Sequence, residues 1–166
     1  FYSHALVRPL EAEVLSDALV DVTGAPHQYG DFPLGTRAVT LFDSLTPSAE
    51  LDILGRCSRE ESCEVSSSSR AAGGLTRKLH LMNGRLVNSK IRSKKSQLSK
   101  LLDSQLSSDQ IVSKLYLSCF SRYPTDTERE YWQQQGKQVQ TEQQQREFLE
   151  DLFWSLLACR EFTTNH

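Results

Sequence analysis

The stretch from Ser107 to Glu128, SSDQIVSKLYLSCFSRYPTDTE, constrains this chain more than any other. A serine at 107 or 108 can accept a bond from an otherwise unpaired first-turn amide, and Asp109 places negative charge where a helix N-terminus favours it. Ile111, Val112, Leu115, Tyr116, Cys119 and Phe120 follow at spacings of one, three and four, which makes one broad apolar stripe. Pro124 stops the run by driving Tyr123 out of helical geometry. Thr125 with Glu128 three residues on is a capping box that opens another helix. The segment therefore predicts a helical hairpin.

The rest of the chain reads as further helices around it. With 166 residues and 18.8 kDa, one domain over 1–166 is expected, long enough to bury its own core. Pro9 to Val22 predicts a first helix with Leu10, Val14, Leu15, Ala18, Leu19 and Val22 inward, Pro9 in the first turn and Gly24 as a left-handed stop. Residues 25–46 read as irregular, with a short extended piece from Arg37 to Phe42. Thr46-Pro47 predicts a cap and first position for a short helix to about Leu54, ended by Gly55. Four consecutive serines and a Gly pair make 60–74 the expected mobile loop. Leu75, Leu79 and Met82, stopped at Asn83-Gly84, predict another helix. Leu86, Val87 and Ile91 predict the next, and Leu98, Leu101 and Leu102 one more beyond Ser93-Lys94-Lys95. Thr141 caps a last helix with Phe148, Leu149, Leu152, Phe153, Leu156 and Leu157 inward. The expected fold is all-α: a single irregular helical domain of about six or seven helices with a long N-terminal loop segment. No apolar run approaches the roughly 20 residues that span a bilayer.

Charge is segregated along the chain. Residues 1–64 hold 4 basic and 11 acidic groups, 65–102 hold 9 basic and none acidic, and 103–166 hold 6 and 10, giving −7, +9 and −4 for a net −2. The basic block can meet a polyanion or fold against the acidic flanks. Nucleic-acid binding through 77–100 is the weaker reading, because DNA-binding domains are usually basic overall.

Catalytic signatures are missing from the sequence. His4, His27, His80 and His166 are scattered without metal-ligand spacing, and there is no nucleophile elbow, phosphate loop or haem attachment motif. No metal and no cofactor is expected. Cys57 and Cys63 are separated by five residues, too far for a zinc knuckle, which leaves a local disulfide or two free thiols. Cys119 and Cys159 sit on apolar helix faces and read as packing residues. One polar constellation stands out. Glu13 and Asp17 are stacked on one helix face, and Arg37, Arg56 and Arg59 follow in the irregular segment. Guanidinium–carboxylate forks there can clamp the loop to the first helix or form an anion or sugar site.

Several short patterns resemble the C-terminal domain of unknown function found in large multidomain planctomycete proteins, after cytochrome-c-like domains. They are Arg8-Pro-Leu-Glu-Ala-Glu13 with Asp17-Ala18, Pro33-Leu-Gly-Thr-Arg37-Ala38, Gly55-Arg56 with Arg59 and Cys63-Glu64, and Leu81-Met-Asn83-Gly84. Leu115-Tyr-Leu, Ser121-Arg-Tyr-Pro124-Thr-Asp-Thr-Glu128 and Arg160-Glu-Phe162 with Asn165-His166 complete the match over nearly the whole chain. The sequence departs from the pattern in the serine run after Cys63 and in Ala158-Cys159. The resemblance implies an exported, cell-envelope setting and a longer parent protein, and an oxidising compartment favours a Cys57–Cys63 bridge. It implies no established activity. The expectation is a non-catalytic interaction or structural module that packs against neighbouring domains of its parent. The alternatives are an anionic polysaccharide site built on the arginines and a nucleic-acid surface on the basic block.

Overall fold

A computed structural model describes residues 7–41, 46–56, 78–79, 81–82, 85–104 and 106–165. The fold is all-α, with seven helices of five residues or more among the described residues. They are α1 (Ala12–Thr23), α2 (Ala49–Ile53), α3 (Arg85–Arg92), α4 (Gln97–Leu102), α5 (Ser108–Phe120), α6 (Asp126–Gly136) and α7 (Glu142–Ala158). A 3-10 turn at Ala38–Thr40 and a last helical turn, α8 (Arg160–Thr163), complete the order. Residues 78–79 and 81–82 are helical, within the segment where Leu75–Met82 predicts a helix.

Two helices organise the packing. α1 lies against the 3-10 turn, α2, α3 and α4, while α7 lies against α3, α4, α5 and α8. Leu15 and Leu19 of α1 and Leu149, Leu152, Phe153 and Leu157 of α7 are fully enclosed, in one core cluster with Leu51, Val87, Ile91, Leu98, Ile111 and Leu115. α3 and α4 thus join the two halves. Cys119 and Cys159 are free thiols packed against this core, and burial pushes the Cys119 thiol above its ordinary range.

Local capping follows the sequence closely in the C-terminal half. Ser107, Thr125 and Thr141 each accept a bond from the amide three residues on, and Gln110, Glu128 and Gln144 return it, so three helices open with capping boxes. The end of α5 differs from expectation. Pro124 does not set it, because Ser121 already stands in the left-handed region at φ 56° and donates its amide to Leu117 O. That conformation disfavours a non-glycine residue, and Arg122, tied down immediately after it, holds the turn.

The N-terminal half departs further. Pro9 is not in the first turn of α1 but in an antiparallel clasp with the other end of the chain. Leu10 N donates to Thr163 O at 3.0 Å, Asn165 N to Arg8 O at 2.9 Å, and Arg8 N to Asn165 Oδ1 at 2.6 Å. The buried side of α1 includes Ser16, Asp17 and Thr23, while Val14 is exposed. The face is therefore rotated toward polar partners supplied by the following loop. Arg37 to Leu41 is not an extended piece but frames the 3-10 turn, because Asp17 caps it. The short helix begins two residues later than Thr46-Pro47 suggests, since Ser48 is the residue whose hydroxyl accepts from Leu51 N. Arg59, Cys57, Cys63 and the 60–74 segment lie outside the described residues.

Candidate functional site

Of the constellation of Glu13, Asp17, Arg37, Arg56 and Arg59, the four described residues Glu13, Asp17, Arg37 and Arg56 do not form one cluster. Asp17, buried on α1, accepts Ala38 N at 2.6 Å and Val39 N at 3.2 Å, and so caps the 3-10 turn across the loop. Arg37 Nε reaches Asp17 at 3.3 Å and its Nη2 reaches Asp21 at 2.9 Å. Asp21, on the same face one turn along, is the partner that the sequence reading leaves out of the cluster. The Arg37 side chain is 55% exposed, and Asp21 foremost, then Asp17, raises its pKa. Arg56 sits elsewhere. It is 9% exposed, with Nη1 on Thr46 O and Nη2 on Asp52, each at 2.8 Å, which locks the end of α2 onto its own entry. Glu13 is half-buried and forms no ion pair among the described residues.

Behind this clamp lies a buried polar network that the sequence reading misses. The Ser16 hydroxyl bonds Tyr29 Oη at 2.6 Å and donates to Glu50 Oε1 at 2.7 Å. Glu50 Oε2 has His27 Nδ1 at 3.0 Å, too poorly aligned for a full hydrogen bond, so that oxygen is the under-satisfied atom of the cluster. Lys90 enters from α3, buried, and donates to Ala25 O at 3.1 Å. Burial alone raises the Glu50 pKa, but His27, Ser16 and Lys90 outweigh it and hold the carboxyl below its ordinary range. Burial lowers the Lys90 pKa, and Glu50 offsets part of that. Tyr29 is pushed up to about 12, first by burial and then by the neighbouring carboxylates, against the opposing Ser16 bond. The one sequence signal was Ser16 itself, a polar residue between Leu15 and Leu19 on the buried face.

Ser16 donates to the Glu50 carboxylate and not to His27, so the Ser–His contact of a hydrolase triad is not present in this network. The imidazole is 28% exposed and packs edge-on against Tyr29, with ring centroids 4.8 Å apart. No group of three or more His, Cys, Asp or Glu among the described residues is placed to hold a metal ion.

A third cluster forms around Arg122, in the Ser121–Glu128 motif. Its Nε and Nη2 take both oxygens of Glu161 at 2.7 and 2.8 Å, while Nη1 and Nη2 take both oxygens of Glu128 at 2.8 and 2.9 Å. The guanidinium carbon also lies 5.5 Å from the Tyr116 ring centroid and 5.3 Å from that of Phe120. One side chain thereby joins α5, the N-terminus of α6 and α8. Arg122 first, then the Thr125 amide and hydroxyl, hold Glu128 down at about 2 against its burial.

The basic block divides. Lys90 turns inward, and Arg92 pairs with Glu150 of α7 at 3.0 Å, so these two fold against the acidic flanks. Lys78, Arg85, Lys94, Lys95 and Lys100 are exposed and form no ion pair among the described residues. No described helix is long and apolar enough to cross a membrane. Comparison with protein-family models, curated proteins and solved structures finds no match.

Proposed function

We propose that this chain is a non-catalytic interaction module within a larger exported protein, packing against neighbouring domains of its parent. The observation that carries this reading is the pair Leu34 and Val39, 65% and 53% exposed. They flank Arg37 on a loop that Asp17, Arg37 and Asp21 fix to α1. Holding large apolar side chains outward on a fastened loop suits a preformed contact surface. The ionic clusters support the same reading, since Arg37, Arg56 and Arg122 already have carboxylate partners within the chain. An anion site built on Arg37 and Arg56 would have to break those pairs first.

Hydrogen exchange tests the proposal. Amides 30–41 are compared in the isolated domain and in the longer parent protein, with and without Leu34→Asp and Val39→Asp. Protection that rises in the parent and disappears in the double variant supports the proposal. Identical exchange in domain and parent refutes it.

A further inference from the structure

Four cations of the basic block that form no ion pair among the described residues, Arg85, Lys94, Lys95 and Lys100, share one structural unit with Arg92, which pairs with Glu150. Arg85 and Arg92 stand seven residues apart on α3, which places them on the same face, about 10 Å apart along the axis. Lys94 and Lys95 form the turn that follows, and Lys100 lies on α4. Arg146 of α7 borders the unit by donating to Ser99 Oγ at 3.3 Å. Burial of Ser96 and Ser99, with Ser96 capping α4 and Ser99 bonded to Ser93 O, fixes the hairpin that carries these charges. Elsewhere, Arg37, Arg56 and Arg122 are engaged by carboxylates. Here Arg85, Lys94, Lys95 and Lys100 are left to solvent.

The composition of this face selects its partner. It calls for a polyanion. Residues 85–102 contain no aromatic side chain on which the bases of a single strand could stack. The exposed residues of the hairpin are Arg85, Ser89, Arg92, Lys94, Lys95 and Lys100, so it has no outward apolar side chain to enter a lipid interface. Without a stacking platform, neutral sugar rings have no purchase either, and recognition must run through dense charge along a linear chain. We propose that the face formed by α3, the 93–96 turn and α4 binds a sulfated polysaccharide. This site is distinct from the Leu34–Val39 surface, and the two stand or fall separately.

The test titrates the whole chain with heparin by calorimetry at low salt. A triple variant, Lys94→Gln, Lys95→Gln and Lys100→Gln, is set against a matched control, Lys114→Gln, Arg129→Gln and Lys137→Gln. The control removes the same charge from other exposed positions. The expected result is wild-type binding that weakens steeply with salt, a loss of at least about tenfold in the hairpin variant, and a small change in the control. Protection of Lys94, Lys95 and Lys100 from acetylation by bound heparin gives the same reading on the unaltered chain. Absence of binding, equal losses in both variants, or acetylation protection that spares these lysines overturns the proposal. So does binding of single-stranded DNA or phosphatidylserine vesicles as tight as that of heparin.

Discussion

Replacing Arg122 by Met is the sharpest single perturbation of this fold. The substitution keeps a flexible side chain over Tyr116 and Phe120 but removes the fork that holds Glu128 and Glu161. The Arg122 side chain is 34% exposed and those of its partners similarly so, which places the pairs between surface and core. Buried pairs broken on one side cost about 3–5 kcal/mol and exposed ones about 0.2–1 kcal/mol. Discounted for solvent, two bidentate pairs contribute roughly 1 kcal/mol each, and the aromatic contacts add about 0.5–1 kcal/mol. The expected loss is therefore about 2–3 kcal/mol, a fall in Tm of roughly 5–10 °C for a chain of this size. Arg122→Lys keeps the charge and loses the fork, so it should fall between wild type and Met. Urea titrations from neutral to acidic pH provide the discriminating measurement. Glu128 is held at about 2 in the folded state against 4.5 ordinarily. Its stabilising contribution is thus complete above about pH 4.5 and is lost as pH falls toward 2. The gap between wild type and Arg122→Met should narrow across that window as the carboxylate is protonated. A gap below about 0.5 kcal/mol at neutral pH, or one that is constant on acidification, would falsify the account of this cluster.

Other perturbations probe the remaining ties. Asp17→Ala should cost about 2–3 kcal/mol, since it strips the cap from two amides and a partner from Arg37; faster exchange at Ala38 and Val39 would accompany the lower denaturation midpoint. Ser121→Gly should stabilise the fold by about 0.5–1 kcal/mol by relieving the left-handed residue that ends α5, and an unchanged or lower midpoint counts against that strain. Tyr29, raised to about 12 from 10, contributes stability that is present below about pH 10 and lost as pH climbs toward 12. Tyr29→Phe should remove that alkaline loss at a cost of about 1 kcal/mol from the Ser16 bond, and an alkaline transition that persists in the variant assigns it to another group.

Much of the helical half was legible because its signals are local. Ser107, Thr125 and Thr141 act within three residues of themselves, and the stripe from Leu149 to Leu157 is a simple helical period. The polar clusters were not legible for the opposite reason. Asp17 serves amides more than twenty residues away, and Glu50 reaches Ser16 and His27 through a loop with no regular pattern. A local rule then misplaced the α1 face, since Val14 has the apolar character for the interior but Ser16 and Asp17 have the partners there. The arginine constellation was half legible. Carboxylates four residues apart on α1 do meet an arginine, but the second one on Arg37 is Asp21, and Arg56 is held by Asp52 within its own segment. Ser121 was hidden behind Pro124, the stronger textual signal for a stop.

The clasp between Arg8–Leu10 and Thr163–Asn165 has a mechanical consequence. The strands run antiparallel, so chain preceding Arg8 and chain following Asn165 depart from the same end of the clasp. A load applied through both ends meets the outer bonds at Arg8 and Asn165 first, and the Leu10–Thr163 bond only after they part. Tension peels this junction bond by bond instead of shearing it at once, and the clasp yields before α1 or α7 carries any load.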